Sequence, residues 1–199
     1  MSSYRFDQYE LLEGKKLVLI KLDQEILPGL AEILVSPSTW FSIKRDVDTP
    51  EKFKENLSIK LEKQNRHECL TLVAVDKESQ QKVAMSSYQY PTSGFERIEI
   101  GYTWIADTWM RSYVHTEMKY LMLTYAFETM RVQRVEFMVH PTNDISNRSM
   151  KRIGATYEGL LRKYRSFWEC DDGDRNVYSI IGDEWPKVRS HIQGLMRNY

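Results

Sequence analysis

A chain of 199 residues, 42% hydrophobic and 28% charged, is long enough for one well-buried core and short for two full domains. Its 28 lysines and arginines balance 28 aspartates and glutamates, so no global field draws it to nucleic acid or an anionic membrane, and any anion site has to be local. Cys69 and Cys170 form no C-x-x-C or zinc-ligand pattern, no run approaches the roughly 18–20 apolar residues of a membrane span, and the opening MSSYRFDQYE lacks a signal peptide's apolar core, so no metal and a cytoplasmic location are expected.

In chain order, KKLVLIKL (15–22) predicts a first strand, and DQEILPGLAEILVSP (23–37) a helical arm broken at Pro28-Gly29. TPEKFKENLSIKLEKQ (49–64) predicts an amphipathic helix with Thr49 as N-cap, Pro50 at its first position, and Phe53, Leu57 and Leu61 on one face. ECLTLVAVD (68–76) and KVAMSSYQY (82–90) read as an antiparallel hairpin around the polar turn KESQQ. RIEIGYTWI (97–105) is a third strand, with Ile98, Ile100, Tyr102 and Trp104 expected on its core side.

A helix over residues 116–129 carries two apolar stripes and is expected to be covered on much of its circumference. VQRVEFMVH (132–140) is a buried strand, and NDISNRSMKRIGA (143–155) a short helix closed by Gly154. YEGLLRKYRSFWE and RNVYSIIG flank the turn CDDGD as a final hairpin, and residues 183–196 form a terminal helix with Asp183 as candidate cap. The order predicts a single α+β or mixed α/β domain over 1–199, with its core at about 15–182 and a terminal helix at 183–197. A crossover helix between the third and fourth later strands implies one locally parallel pair, and ligands favour such a change of direction.

Neither a dinucleotide fingerprint, a P-loop nor a G-x-S-x-G elbow occurs. The stretch from Asp171 ends its twelfth position on Gly182 where a calcium loop needs glutamate, so it reads as a turn. The basic runs RSMKR (148–152) and LRKYR (161–165) read as solvated faces or as phosphate contacts, and His140 as structural.

Three stretches together carry a resemblance: IEIGYTWI (98–105), WMRSYVHTEMKYLMLTYAFE (109–128) and VEFMVHPTNDISNRSMKRIGATYEGLLR (135–162). Over residues 15–181 the chain resembles the GNAT superfamily of acetyl-CoA-dependent N-acetyltransferases, in particular its branch of ribosomal-protein N-terminal (RimJ/RimL-like) acetyltransferases. The resemblance implies a mostly antiparallel mixed sheet, splayed at a parallel strand pair, with helices on both faces and the pantetheine arm of acetyl-CoA in the gap. Main-chain groups of Gly101, Tyr102, Thr103, Trp104 and Ile105 would pair with that arm. The family's pyrophosphate loop, Q/R-x-x-G-x-G/A, falls on Met110, Arg111, Ser112, Tyr113, Val114 and His115, followed by Thr116. Tyr113 and His115 replace its small residues, and glycine there normally lets backbone approach an anion.

Asn143 and Ser146 match the family's N-x-x-[AS], where the asparagine contacts the pantetheine arm; Arg148 is a further candidate contact. Where many relatives place a proton-donating tyrosine, this chain has Met150; Ser146 is the nominated substitute, and reads equally as a helix-start cap. Glu99 lies eleven residues before Met110, where some relatives carry the base; a surface carboxylate is the alternative. The acceptor is a protein or small-molecule amine, with Trp40, Phe41, Tyr88, Tyr90, Arg165 and Trp168 as candidate lining, all equally readable as core. A homodimer is compatible with the family, and a catalytically silent acyl-CoA-binding protein is the competing reading.

Overall fold

A computed structural model describes residues 6, 9, 11–34, 49–92, 96–165 and 173–199. In chain order these form β1 (Leu12–Glu13), β2 (Leu17–Lys21), α1 (Leu27–Leu34), α2 (Pro50–Asn65), β3 (Cys69–Asp76), β4 (Lys82–Gln89) and β5 (Arg97–Ile105). There follow α3 (Val114–Thr124), β6 (Arg134–Val139), α4 (Asp144–Arg152), β7 (Thr156–Leu161), β8 (Arg175–Ile181) and α5 (Trp185–Met196). The strands make one sheet in the order β1-β2-β3-β4-β5-β6-β8-β7, antiparallel except for β5 with β6. That is the mixed α/β architecture the sequence predicts.

Two apolar clusters lie on the two faces of the sheet. On one, Met118, Met122 and Leu123 of α3 and Val188 and Ile192 of α5 pack against Leu70, Leu72, Ile98, Ile100 and Phe137. On the other, Leu30 and Leu34 of α1 and Phe53 and Leu57 of α2 pack against Val73, Met85 and Trp104. Thr49 caps α2 through Lys52 N–H at 3.3 Å, as predicted. Its buried stripe continues with Lys60 and Gln64, the Gln64 side chain donating to Leu22 O (2.7 Å) and accepting from Thr71 N–H (2.8 Å).

Three expectations are corrected. Pro28 and Gly29 do not break α1, because they fall in its first turn, where a missing N–H costs nothing. α3 begins at Val114 and passes into a wider π-type turn at Tyr125–Thr129, since Ser112 Oγ accepts from Val114 N–H (3.2 Å) and starts the helix early. Asp183 makes no cap: a 3₁₀ turn precedes α5, and the Glu184 carboxylate accepts from Ile181 N–H at 3.2 Å. Gly154 does close α4, at φ +89°, a left-handed position that suits glycine.

Among the described residues no helix is long and apolar enough to cross a membrane.

Candidate active site

β5 and β6 pair over three rungs only, Arg97 with Arg134, Ile98 with Val135 and Glu99 with Glu136. Beyond Glu99 the two strands diverge, although β5 runs on to Ile105 and β6 to Val139. The β5 edge facing the gap therefore keeps main-chain polar groups with no partner strand. On its other edge β5 stays paired with β4, but Met85 opposes Trp104 while Ser87 opposes Gly101, so Tyr102 and Thr103 together face one residue. That is a β-bulge, with Tyr102 at φ +54°.

The extra residue corrects the predicted alternation. Ile98 and Ile100 face α3, but after the bulge Thr103 takes that side, and Trp104 turns to α2, its ring 4.5 Å from Phe53. Tyr102 lies on the α2 side as well, with Lys60 Nζ 3.7 Å above its ring. Adjacent residues thus serve opposite faces at the point where the cleft opens.

On the α2 face, Glu99 is 5% exposed. Its Oε2 accepts from Arg165 Nη1 at 3.1 Å, while among the described residues Oε1 has no hydrogen-bond partner. Burial raises its pKa above the ordinary carboxylate value, with the Arg165 guanidinium pulling the other way and Glu136 adding to the rise. Gly101 leaves the room Oε1 occupies: a Cβ there would lie 3.1 Å from both Glu99 Oε1 and Gln89 Nε2. Glu136 is buried too, but Arg97 (2.9 Å) and Arg134 (2.7 Å) take both its oxygens. Glu99 is the carboxylate with a lone pair to offer.

Arg165 stacks its guanidinium 4.0 Å over the Tyr90 ring. Beside them a cavity of about 270 Å³ is lined by Lys60, Lys63, Cys69, Gln89 and Tyr90, among others. Lys60 donates to Gln89 Oε1 (3.2 Å), and burial pushes it down to about 8, with nearby Cys69 and Glu99 holding it up. Tyr90 and Arg165 are therefore brought together with Glu99. Tyr88 is not: it is fully buried on the α3 face, its hydroxyl donating to Met122 O at 2.7 Å, because an even position on β4 points away from Gln89. Trp40, Phe41 and Trp168 lie outside the described residues.

The loop from Met110 to Thr116 ends on the tip of α3, whose first intrahelical bond runs from Glu117 N–H to Tyr113 O. Its first turn therefore presents N–H groups outward, a seat for an anion. Tyr113 sits at φ −67°, a conformation that does not require glycine. Its ring is folded away from the tip, donating to Asp76 and lying under Lys16 Nζ at 4.5 Å. Arg111 is the exposed residue that takes the left-handed turn, at φ +60°. Arg152, from the far end of α4, donates to Thr116 Oγ1 at 2.8 Å and adds a second guanidinium at this tip. Burial, with Lys119 and Arg152 nearby, pushes His115 down to about 3 and keeps it neutral. These groups fit a diphosphate.

The opposite wall is set by α4. Asn143 caps it, accepting from Ser146 N–H (3.0 Å), and Ser146 is half-buried in the first turn. Asn147 fixes this turn to both strands: its Nδ2 donates to Asn143 O (2.8 Å) and His140 O (3.1 Å), and its Oδ1 accepts from Asn176 and Tyr178, each at 2.9 Å. Met150 is buried in the α3-side core and Arg148 is exposed. Lys60, Lys119 and Asn147 were absent from the sequence-based site, and Arg152 entered it only as the end of the basic run 148–152. For the first three the one sequence signal is a polar residue at a buried position, as with Lys60 at seven residues from Phe53.

The N-acetyltransferase YoaA of Bacillus subtilis (strain 168), itself uncharacterised, is 33% identical over 85 residues, 43% of this chain and 47% of that protein, so the match spans about half of that relative. A structure of a candidate acetyltransferase from T. thermophilus superposes with a TM-score of 0.81 at 27% identity, covering 96% of this chain and 98% of that one. Mycobacterium smegmatis RimJ, solved in complex with CoA-disulfide, shares the fold at a TM-score of 0.74 and 17% identity, over 91% of this chain and 90% of that one. The acetyltransferase (GNAT) domain family matches residues 16–156, from the second strand through the parting of β5 and β6 to the start of β7, and the chain belongs to that family.

Proposed function

We propose that this chain transfers an acetyl group from acetyl-CoA to a primary amine, a protein α-amine or a small-molecule amine, by direct attack in a ternary complex. The observation that carries the reading is the coincidence at one point of three things: the parting of β5 and β6, the bulge at Tyr102–Thr103, and a buried carboxylate with one pinned and one unpartnered oxygen. The α3 tip with Arg111 and Arg152 suits the diphosphate, and the β5 edge along the gap suits the amide-bearing arm.

An amine acceptor is mostly protonated at neutral pH and must lose a proton before it attacks. Glu99 Oε1 is the group placed to take it, and burial moves its pKa toward the working range. A main-chain N–H on the β5 edge along the gap would face the negative charge that grows on the thioester oxygen. Holding both substrates across the cleft supplies much of the remaining rate by orientation. The acceptor enters from the α2 face, where Glu99, Arg165, Tyr90 and the cavity lie.

The test is to incubate the protein with acetyl-CoA and a panel of amines, following free thiol by colour and acetylated product by mass. Thiol release with a matching mass shift is the expected result. Tight acetyl-CoA binding without thiol release from any amine would make the chain an acyl-CoA-binding protein instead.

A further inference from the structure

On the α3 side of the bulge lies a charge that this scheme leaves unused. Lys119, in the second turn of α3, is 1% exposed. Its Nζ donates to Thr103 Oγ1 at 2.7 Å and Ser86 Oγ at 3.2 Å, and stands 5.8 Å from the centre of the Phe137 ring. Thr103 belongs to β5 and Phe137 to β6, both beyond the last shared rung at Glu99 and Glu136. The ammonium therefore sits across the wedge where the strands part.

An ammonium carries three N–H donors, and here two neutral hydroxyls accept from it. Among the described residues no carboxylate pairs with Lys119. The titratable groups around it are His115, one turn earlier on α3, and Arg152 from α4. β8 brings Tyr178, whose hydroxyl is held by Asn147, while β4, β5 and β6 contribute Ser86, Thr103 and Phe137. Glu99 and Glu136 precede Ile100 and Phe137 by one residue and so face the other side of the sheet. A buried cation without a counter-ion is costly, and persists where an anion arrives during function.

We infer that Lys119 is the proton donor of the transfer step, giving its proton to the thiolate displaced from the acetyl carbonyl. The inference rests on the acetyl-transfer reading above. The acceptor ammonium first loses one proton through Glu99 to solvent; its neutral nitrogen then forms its bond to the carbonyl carbon and gives its second proton to Glu99, the carbon–sulfur bond breaks with its electron pair on sulfur, and one Nζ proton passes to sulfur. The neutral amine then regains a proton from solvent. Burial pushes Lys119 down to about 7, below the ordinary thiol value of about 8.5, so the transfer runs downhill. Met150 has no proton to give, and a serine hydroxyl such as Ser146 holds its own more tightly than a thiol does.

The test compares the titration of Lys119 itself with the pH profile of turnover. Nitrogen NMR of the lysine-labelled CoA complex, with Lys119→Met assigning the signal, is followed from about pH 6 to about pH 10 beside kcat. The Nζ should lose its proton near neutral pH, and kcat should fall with the same midpoint as the donor is emptied. Lys119→Met should remove that limb, lower kcat about 100-fold at neutral pH, and leave the acetyl-CoA KM within about threefold. A wild-type kcat with no limb at the Lys119 midpoint overturns the inference, as does a limb that Lys119→Met retains. Failure of CoA to bind at all would overturn the acetyl-transfer reading itself, which the first two outcomes leave standing.

Discussion

Lys60 and Lys119 are the same residue in nearly mirrored places, one on each face of the β5 bulge. Each comes from a helix, each is almost fully buried, and they meet neighbouring residues, Lys60 the Tyr102 ring and Lys119 the Thr103 hydroxyl. Their surroundings differ. Glu99 and Cys69 lie near Lys60 and hold it up at about 8, whereas Lys119 has only burial acting on it and falls to about 7. The difference teaches that the sheet separates two electrostatic compartments, one on each side of β5. The α2 side holds a compensated network centred on the Glu99–Arg165 pair, fit to take a proton from an acceptor. The α3 side holds, among the described residues, a buried ammonium with no carboxylate paired to it, fit to give one.

If the two sides are separate, variants on each should leave the other's readouts alone. The largest effect is expected from Glu99→Gln, which removes the proton acceptor and should lower kcat by about 10²–10⁴-fold while acetyl-CoA affinity, read by calorimetry, stays nearly constant. Unchanged turnover would move the base to a water chain or Glu136. Arg152→Ala, on the other side, should weaken acetyl-CoA binding by about tenfold with the acceptor KM unchanged.

Arg165→Met breaks the comparison from within the α2 side. It removes the cation that restrains the raised Glu99 pKa, so the base ionises at still higher pH. Because Glu99 works only when ionised, kcat near pH 6 should fall by about tenfold, and the loss relative to the unaltered protein should vanish as pH rises. An equal loss at every pH would mean that Arg165 acts on the acceptor alone.

The smallest effects concern stability. A lysine whose folded pKa lies below its unfolded value of about 10.4 costs the fold most when both states are protonated, below the folded pKa. Lys119→Met should therefore stabilise the protein by on the order of 2–4 kcal/mol below about pH 7, the gain fading as pH rises toward about 10.4. Lys60→Met should show the same sign, smaller because its pKa is less depressed, together with a rise in acceptor KM of a few-fold. Thermal melts across pH check both, and an advantage that grew with pH would contradict the assignment.

The amino-acid sequence by itself determined a great deal here. Periodicity, turn residues and caps located α2, the β3–β4 hairpin and α4 with its closing Gly154, because each rests on local sequence pattern, and the helix crossing between β5 and β6 implied their parallel relation. The resemblance carried by the sequence nominated Glu99 as base, Arg111 for the pyrophosphate and Asn143 for the pantetheine arm, the first of which Glu99→Gln puts to the test. What tertiary structure alone decided is which side chains meet. One extra residue in β5 sends Tyr102 and Thr103 to opposite faces, and no local pattern announces a bulge, since it exists only relative to β4. Lys60, Lys119 and Arg152 look in sequence like ordinary surface charges of helices. They become parts of a cleft because the sheet parts beside them, and the burial that sets the proton affinity of Lys60 and Lys119 belongs to the packed fold.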